Sequence, residues 1–226
     1  MQAATRREQK VVTRDRLVNA ATALFARKGI VNTTTADVAK SIRMSHGIVF
    51  LHFPTRDDLV IAVIDEFGRR LSGEFRHAFE NDLGLRAVLQ AHLRVLAEFE
   101  PFYARLVTEA PMLPPKVRST MMMLHAAVSY ALFMALERER RAGRARKLPR
   151  PLLFNTWIGL VHHYLVNRDV FATGNSVIAE QGETLVNHFM TLVKPQKEIR
   201  PWPKNALPVA HADCRWRNPK TSRSAT

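Results

Sequence analysis

"VAKSIRMSHGIVFLHFPTRDDL", residues 38–59, is the stretch on which the reading of the whole chain turns. Two short apolar runs flank a joint at Ile42–Arg43–Met44, too short for anything but a sharp crossing. Two short helices joined in this way, with a third before them, form a helix-turn-helix. That motif needs a second helix that protrudes enough to enter a major groove while the first braces it. Val38 and Ala39 supply a small, packable face for the bracing helix. Ser45 is expected to cap the second helix and leave its first amides toward a phosphate, where the helix dipole helps. Gly47 removes a side chain where backbone and DNA would approach closely. Phe50 and Phe53, three apart, fall on adjoining parts of the short helix. Any helical hairpin with a capped start shows the same features, so that alternative stays open at this point.

Working outward, the chain reads as helical almost throughout, with no sustained strand-type alternation. Leu17, Ala21, Leu24 and Phe25 mark one face of a first helix that ends at Gly29 after basic residues, a favourable helix end. Thr34 with Asp37, and Thr55 with Asp58, are capping-box-like starts. The second opens a long helix carrying Leu59, Val63 and Phe67. Further amphipathic stretches run over residues 85–99, 117–139, 152–167 and 176–193. "EAPMLPPKV", residues 109–117, breaks the pattern, since prolines do not continue a helix interior. From Lys194 periodicity gives way to proline and charge, which reads as a flexible basic tail. The expected organisation is therefore all-α. Residues 1–58 form a helix-turn-helix domain with a basic N-terminal arm, residues 59–193 a larger helical domain, and residues 194–226 the tail.

Composition narrows the function classes. The 226 residues carry a formal net charge of +14, which favours polyanionic partners, nucleic acid or an acidic membrane face. Basic residues gather in "TRREQKVVTRDR" near the start, in "RERRAGRARKLPR" mid-chain and in the last thirty residues; only the first lies beside the opening motif. No apolar run in the bare sequence reaches the roughly 18–20 residues of a membrane span. No secretory h-region follows the first basic residues, and a bacterial-type cytoplasmic protein is expected. Cys214 is the single cysteine, which excludes an intrachain disulfide and a cysteine-based zinc site. His162 and His163 are adjacent on a helix and diverge by about 100°, so they do not readily share one ion. No metal or cofactor is expected. The phosphate-binding loop, the Gly-x-Ser-x-Gly elbow and the dinucleotide glycine fingerprint are all missing from the sequence, which speaks against an enzyme.

The segment from Arg14 to Phe67 resembles the DNA-binding domain of the TetR/AcrR family of bacterial transcriptional regulators. The resemblance rests on "LVNAATALFARKGIVNTTTADVAKSIRMSHGIVFLHFPTRDDL": an alanine-rich helix ending in Gly, a Thr-led second helix, a Ser-x-Gly start, then Phe50, Phe53 and Arg56. Ile42-Arg43-Met44 stands where that family usually has Ala-Gly-Val, His46 where Lys or Arg is common, and Phe50 where a tyrosine is frequent. Ile48 and Leu51 occupy positions that are often polar, so the second helix is unusually apolar. The resemblance implies a homodimeric regulator, a repressor released by a small hydrophobic ligand, on a palindromic double-stranded operator. The non-specific alternative is an architectural DNA-binding protein that relies on its basic arms. Expected DNA contacts are Thr35, Arg43, Ser45, His46, Gly47, Phe50, His52 and Arg56, with Ile48 and Leu51 near base edges or thymine methyls.

The same resemblance implies that the later helices dimerise and enclose a ligand. Trp157, Leu160 and Tyr164 on one helix, and Leu185, Phe189 and Leu192 on the last, are the expected interface positions. Phe99, Phe102, Tyr103, Met121, Met122, His125, Tyr130, Phe133 and Trp157 are the expected liners of an apolar ligand site, with ordinary core packing as the alternative for most of them.

Overall fold

The computed structural model describes residues 5–174 and 176–195. The expected basic tail lies outside them, apart from Lys194 and Pro195, and so does Cys214. The architecture is all-α. Helix α1 spans Arg6–Lys28, α2 Thr35–Ser41, α3 His46–His52, α4 Arg56–Glu80, α5 Gly84–Glu98, α6 Glu100–Glu109, α7 Pro115–Arg141, α8 Arg150–Val166, α9 Arg168–Phe171 and α10 Val177–Val193.

Local chemistry sets these boundaries. α1, α2 and α4 each open with a reciprocal capping box: Thr5 with Glu8, Thr34 with Asp37 and Thr55 with Asp58, satisfying amides that a helix start otherwise leaves unpaired. The first of these moves a boundary. Residues from Arg6 on are helical, so the expected basic arm is the opening turns of α1, and the Thr5-x-x-Glu8 pattern was its signal. α1 stops at Gly29, whose φ of 88° suits glycine. Between α6 and α7 the proline-rich stretch forms a 3-10 turn at Ala110–Met112.

α4 carries the chain from the small N-terminal helices into the larger bundle. It packs on α1, α5 and α7, and its Leu59, Val63, Phe67 and Leu71 are buried on one side. Phe67 sits edge-on to Phe99 at 5.4 Å and tilted against Tyr103 at 5.1 Å. One continuous apolar core runs from Leu17 on α1 to Val193 on α10, and the expected division at residue 58 falls inside α4. α7 is the one helix among the described residues long and apolar enough to cross a membrane by length and composition, and 44% of its most apolar window is buried within the bundle. Its apolar face is used for packing against α4, α5 and α8.

Two buried carboxylates tie α6 to its surroundings. Glu100, 1% exposed, accepts hydrogen bonds from the Ser176 hydroxyl at 2.5 Å, the Val177 amide at 2.8 Å and the Ile178 amide at 3.2 Å. It thereby caps α10 from a neighbouring helix, where the dipole favours negative charge. Glu109, at the other end of α6, accepts from the Val31 amide at 2.7 Å.

Candidate nucleic-acid interface

The joint between α2 and α3 is a Schellman turn. The Met44 amide donates to the Ala39 carbonyl at 2.9 Å and the Arg43 amide to that of Lys40 at 3.2 Å. This closure needs a left-handed residue after the helix cap, usually glycine. Here Arg43 takes it, at φ 56°. Its side chain is exposed.

Past the turn, α3 buries Val49 and, just after its end, Phe53 in the core, while Ser45, His46, Gly47, Phe50 and Leu51 are exposed. Leu51 is 72% exposed and Phe50 45%. α3 is thus a seven-residue helix that stands on two buried anchors and presents an aromatic and a leucine to solvent. Ile48 and His52 are half-buried. Ser45 occupies the cap position, yet its side chain makes no capping hydrogen bond.

Three expected contact residues have their polar groups engaged inside the chain. The Thr35 hydroxyl and His46 Nε2 lie 2.8 Å apart, and Thr35 is buried. This bond ties the start of α2 to the start of α3, and the His46 ring packs edge-on to Phe50 at 4.6 Å. Arg56 begins α4 as expected but turns inward. Its Nε donates to the Thr33 carbonyl at 2.8 Å and its NH2 to that of Ile30. Both bonds hold the α1–α2 loop.

That loop is gripped twice, by Arg56 from α4 through carbonyls and by Glu109 from α6 through the Val31 amide. The loop also closes on itself, with the Thr33 hydroxyl donating to the Gly29 carbonyl at 2.6 Å. A Cβ on Gly29 would lie 2.6 Å from Glu109 Oε1, closer than real side chains allow. The path of the loop, and hence the placement of α2, is thereby set by side chains of the larger bundle.

Cations flank α3. An open groove of ≈690 Å³ is bordered by Arg6, Arg7, Gln9, Lys10 and Thr13 of α1 and by Leu51 and His52 of α3. Partial burial holds the His52 imidazole below its ordinary pKa, and the charges of Lys10 and Arg14 lower it further. The guanidinium of Arg14 lies 5.3 Å from the Phe53 ring centre. The α1 residues of this groove were absent from the expected contacts, because a basic run reads the same whether it is an arm or a helix.

Residues 17–63 match the family described as bacterial regulatory proteins, tetR family. That match covers the latter part of α1, all of α2 and α3 and the first part of α4. An HTH-type transcriptional repressor of Mycobacterium tuberculosis, Rv3405c, is 42% identical over 81 residues, 36% of this chain and 43% of the relative. The match thus spans less than half of that curated relative's length. Among solved structures, a TetR-family regulator from Agrobacterium tumefaciens superposes with a TM-score of 0.68 at 18% identity, covering 82% of this chain and 100% of the other. The regulator PfmR from Thermus thermophilus gives 0.66 at 20% identity, covering 78% and 98%. At such identities the likeness is one of fold.

The larger helical part of the chain departs from expectation in two places. Trp157, Leu185 and Phe189, expected at a dimer interface, are at most 2% exposed within the single chain. Trp157 packs edge-on against Phe189 at 5.2 Å and donates its indole N–H to His92 Nδ1 at 3.1 Å. They are core. Leu160, Tyr164 and Leu192 are half-buried, and Tyr164 stacks on Phe171 at 4.3 Å. The outward face of α8 instead carries Leu152, Asn155, Gly159, His163 and Val166.

Of the expected ligand liners, Phe99, Phe102, Tyr103, Met121 and Trp157 are buried side chains of the core. Phe133 is half-buried, and Met122 and Tyr130 are exposed. The Tyr103 hydroxyl lies 3.1 Å from His125 Nε2 and 3.3 Å from His162 Nε2. One imidazole therefore accepts its proton while the other donates to its oxygen. Burial lowers the pKa of His162 to about 4, with a smaller contribution from His125, and that of His125 below its ordinary value. His92, fully buried, is pushed to about 3, and its Nε2 lacks a partner among the described residues. No group of three His, Cys, Asp or Glu among the described residues is arranged to hold a metal.

Proposed function

We propose that this chain is a regulator of the TetR family: a homodimeric, sequence-specific DNA-binding transcriptional repressor released by a small-molecule ligand. The observation that carries this reading is α3. It is anchored by Val49 and Phe53, stands exposed beyond a tight turn, and is flanked by the cationic start of α1. α3 enters a major groove with Gly47, Phe50 and Leu51 toward base edges. Arg43 and the cations of α1 meet phosphates on either side. Two copies joined through the outward face of α8, beside α10, read two half-sites about 34 Å or a multiple of it apart. Residues 1–58 serve as the reading part and residues 59–193 as the ligand-binding and dimerising part. A ligand that moves α4 or α6 moves the α1–α2 loop through Arg56 and Glu109 and so changes how α3 is presented. The name of the Mycobacterium tuberculosis relative, a repressor, supports the sign of regulation.

The competing reading is an architectural DNA binder, favoured by the +14 net charge. Binding to the inverted repeat upstream of the chain's own gene, against scrambled duplexes of equal length, separates the two. A regulator prefers its palindrome by about 10³-fold or more, whereas a non-specific binder treats all duplexes alike and loses affinity steeply with salt.

A further inference from the structure

The seam between α4 and α7 is bordered by an exposed carboxylate, Asp65, that has no partner among the described residues. Gly68 on α4 and Ala127 on α7 carry almost no side chain, and the helices leave an open trough of ≈220 Å³. Leu71, Phe75 and Leu124 line it with buried hydrocarbon. A Cβ on Gly68 would meet a Leu124 methyl at 3.5 Å, so a larger side chain there would fill the space. Asp65 borders the trough and, among the described residues, takes part in no hydrogen bond or ion pair. The next residue differs: Glu66 is bound by Arg69 at 2.7 Å and by Arg70 at 3.0 Å. Desolvation pushes the Asp65 carboxyl above its ordinary pKa, against the weaker opposing charge of Arg14. The aromatic residues expected to line a ligand site do not border this trough.

We propose that the trough binds small amphiphilic amines, with an apolar body on Leu71, Phe75 and Leu124 and a protonated nitrogen against the Asp65 carboxylate. A dry cavity of about 150 Å³ holds a benzene ring, so one ring with a short alkylammonium chain is the matching size. Charge complementarity selects the amine. It supplies the counter-charge that Asp65 lacks, a neutral analogue gains only the apolar contact, and an anion meets like charge. The site lies on the helix that begins with Arg56, so an occupant wedged between α4 and α7 acts on the grip that Arg56 holds on residues 30 and 33. Naming the amine as effector rests on the reading of a ligand-released regulator; the binding site itself does not.

The test is calorimetry on the full chain at pH 7 without DNA, so that failure of amine binding and failure of operator binding are read separately. The probes are 2-phenylethylamine, 2-phenylethanol and phenylacetate. The amine should bind about fivefold tighter than the alcohol, the increment of a partly exposed ion pair, and phenylacetate should bind more weakly than both. Asp65→Asn should bring the amine down to the alcohol, and Asp65→Lys should reverse the order in favour of phenylacetate. Gly68→Leu should weaken amine and alcohol together, with the melting temperature of each variant as the control for folding. Equal binding of amine and alcohol, or a preference for the amine that survives Asp65→Asn, would overturn the proposal.

Discussion

Replacing Arg56 separates two roles that a basic residue at this position could have. If the guanidinium neutralised a phosphate, Arg56→Ala would flatten the salt dependence of DNA binding by about 0.9 in the log–log slope and leave folding alone. The structure places it otherwise, donating to the carbonyls of Thr33 and Ile30 with its side chain 30% exposed. Hydrogen bonds to a charged group contribute about 1.5–3 kcal/mol each; two of them, discounted for partial exposure, give a loss of about 2 kcal/mol. For a chain of this size that lowers the melting temperature by roughly 4–8 °C. DNA affinity should fall as well, because the loop that sets α2 is loosened, yet the salt slope should stay within error of the parent. Urea unfolding and fluorescence anisotropy at four salt concentrations measure both quantities. Unchanged stability together with a slope shallower by about one would refute the inward assignment.

Gly29→Ala should destabilise by about 1–3 kcal/mol and weaken DNA binding, since the new methyl enters the space of the Glu109 carboxylate at a positive φ; wild-type unfolding curves would contradict the double grip on the loop. Stability should fall as pH drops below 6.5. His92, His125 and His162 have folded-state pKa values lowered by burial, so the unfolded chain takes up their protons first. The loss should approach roughly 1.4 kcal/mol per pH unit for each of these histidines, down to its folded pKa; urea midpoints between pH 7.5 and 4.5 read it, and a flat profile would count against neutral buried imidazoles. Gly159→Arg places a charge on the open, outward face of α8 and should give folded monomers by light scattering, whereas Leu185→Glu should unfold the chain because Leu185 is core. A dimeric Gly159→Arg variant would move the interface elsewhere.

Much of the fold is legible in the sequence. The α2–turn–α3 unit is written in local chemistry, a capping box at Thr34, apolar anchors at Val49 and Phe53 and a second box at Thr55, and such signals act within a few residues. α6 is missing from the expected helices, which close one amphipathic stretch at residue 99 and open the next at 117; only Pro101 hints that a new helix starts between them. The direction of Arg56 depends on carbonyls 26 and 23 residues earlier, which no local pattern reports. Trp157, Leu185 and Phe189 show the limit of amphipathicity. A buried face is readable from spacing, but whether it is buried by the same chain or by a second copy is not.

The two carboxylates of α6 also bear on which changes in chain length this fold tolerates. Glu100 and Glu109 are nine residues apart, about 900° of helical rotation, so they project from opposite sides of α6. One holds the start of α10 and the other the α1–α2 loop. A single-residue insertion between them would swing one carboxylate through about 100° and move it about 1.5 Å along the axis, breaking one attachment whichever way the helix settled. The exposed side chains of α6 are open to drift, but its residue count is not. Relatives that keep both attachments should carry substitutions between these two positions and no insertions or deletions.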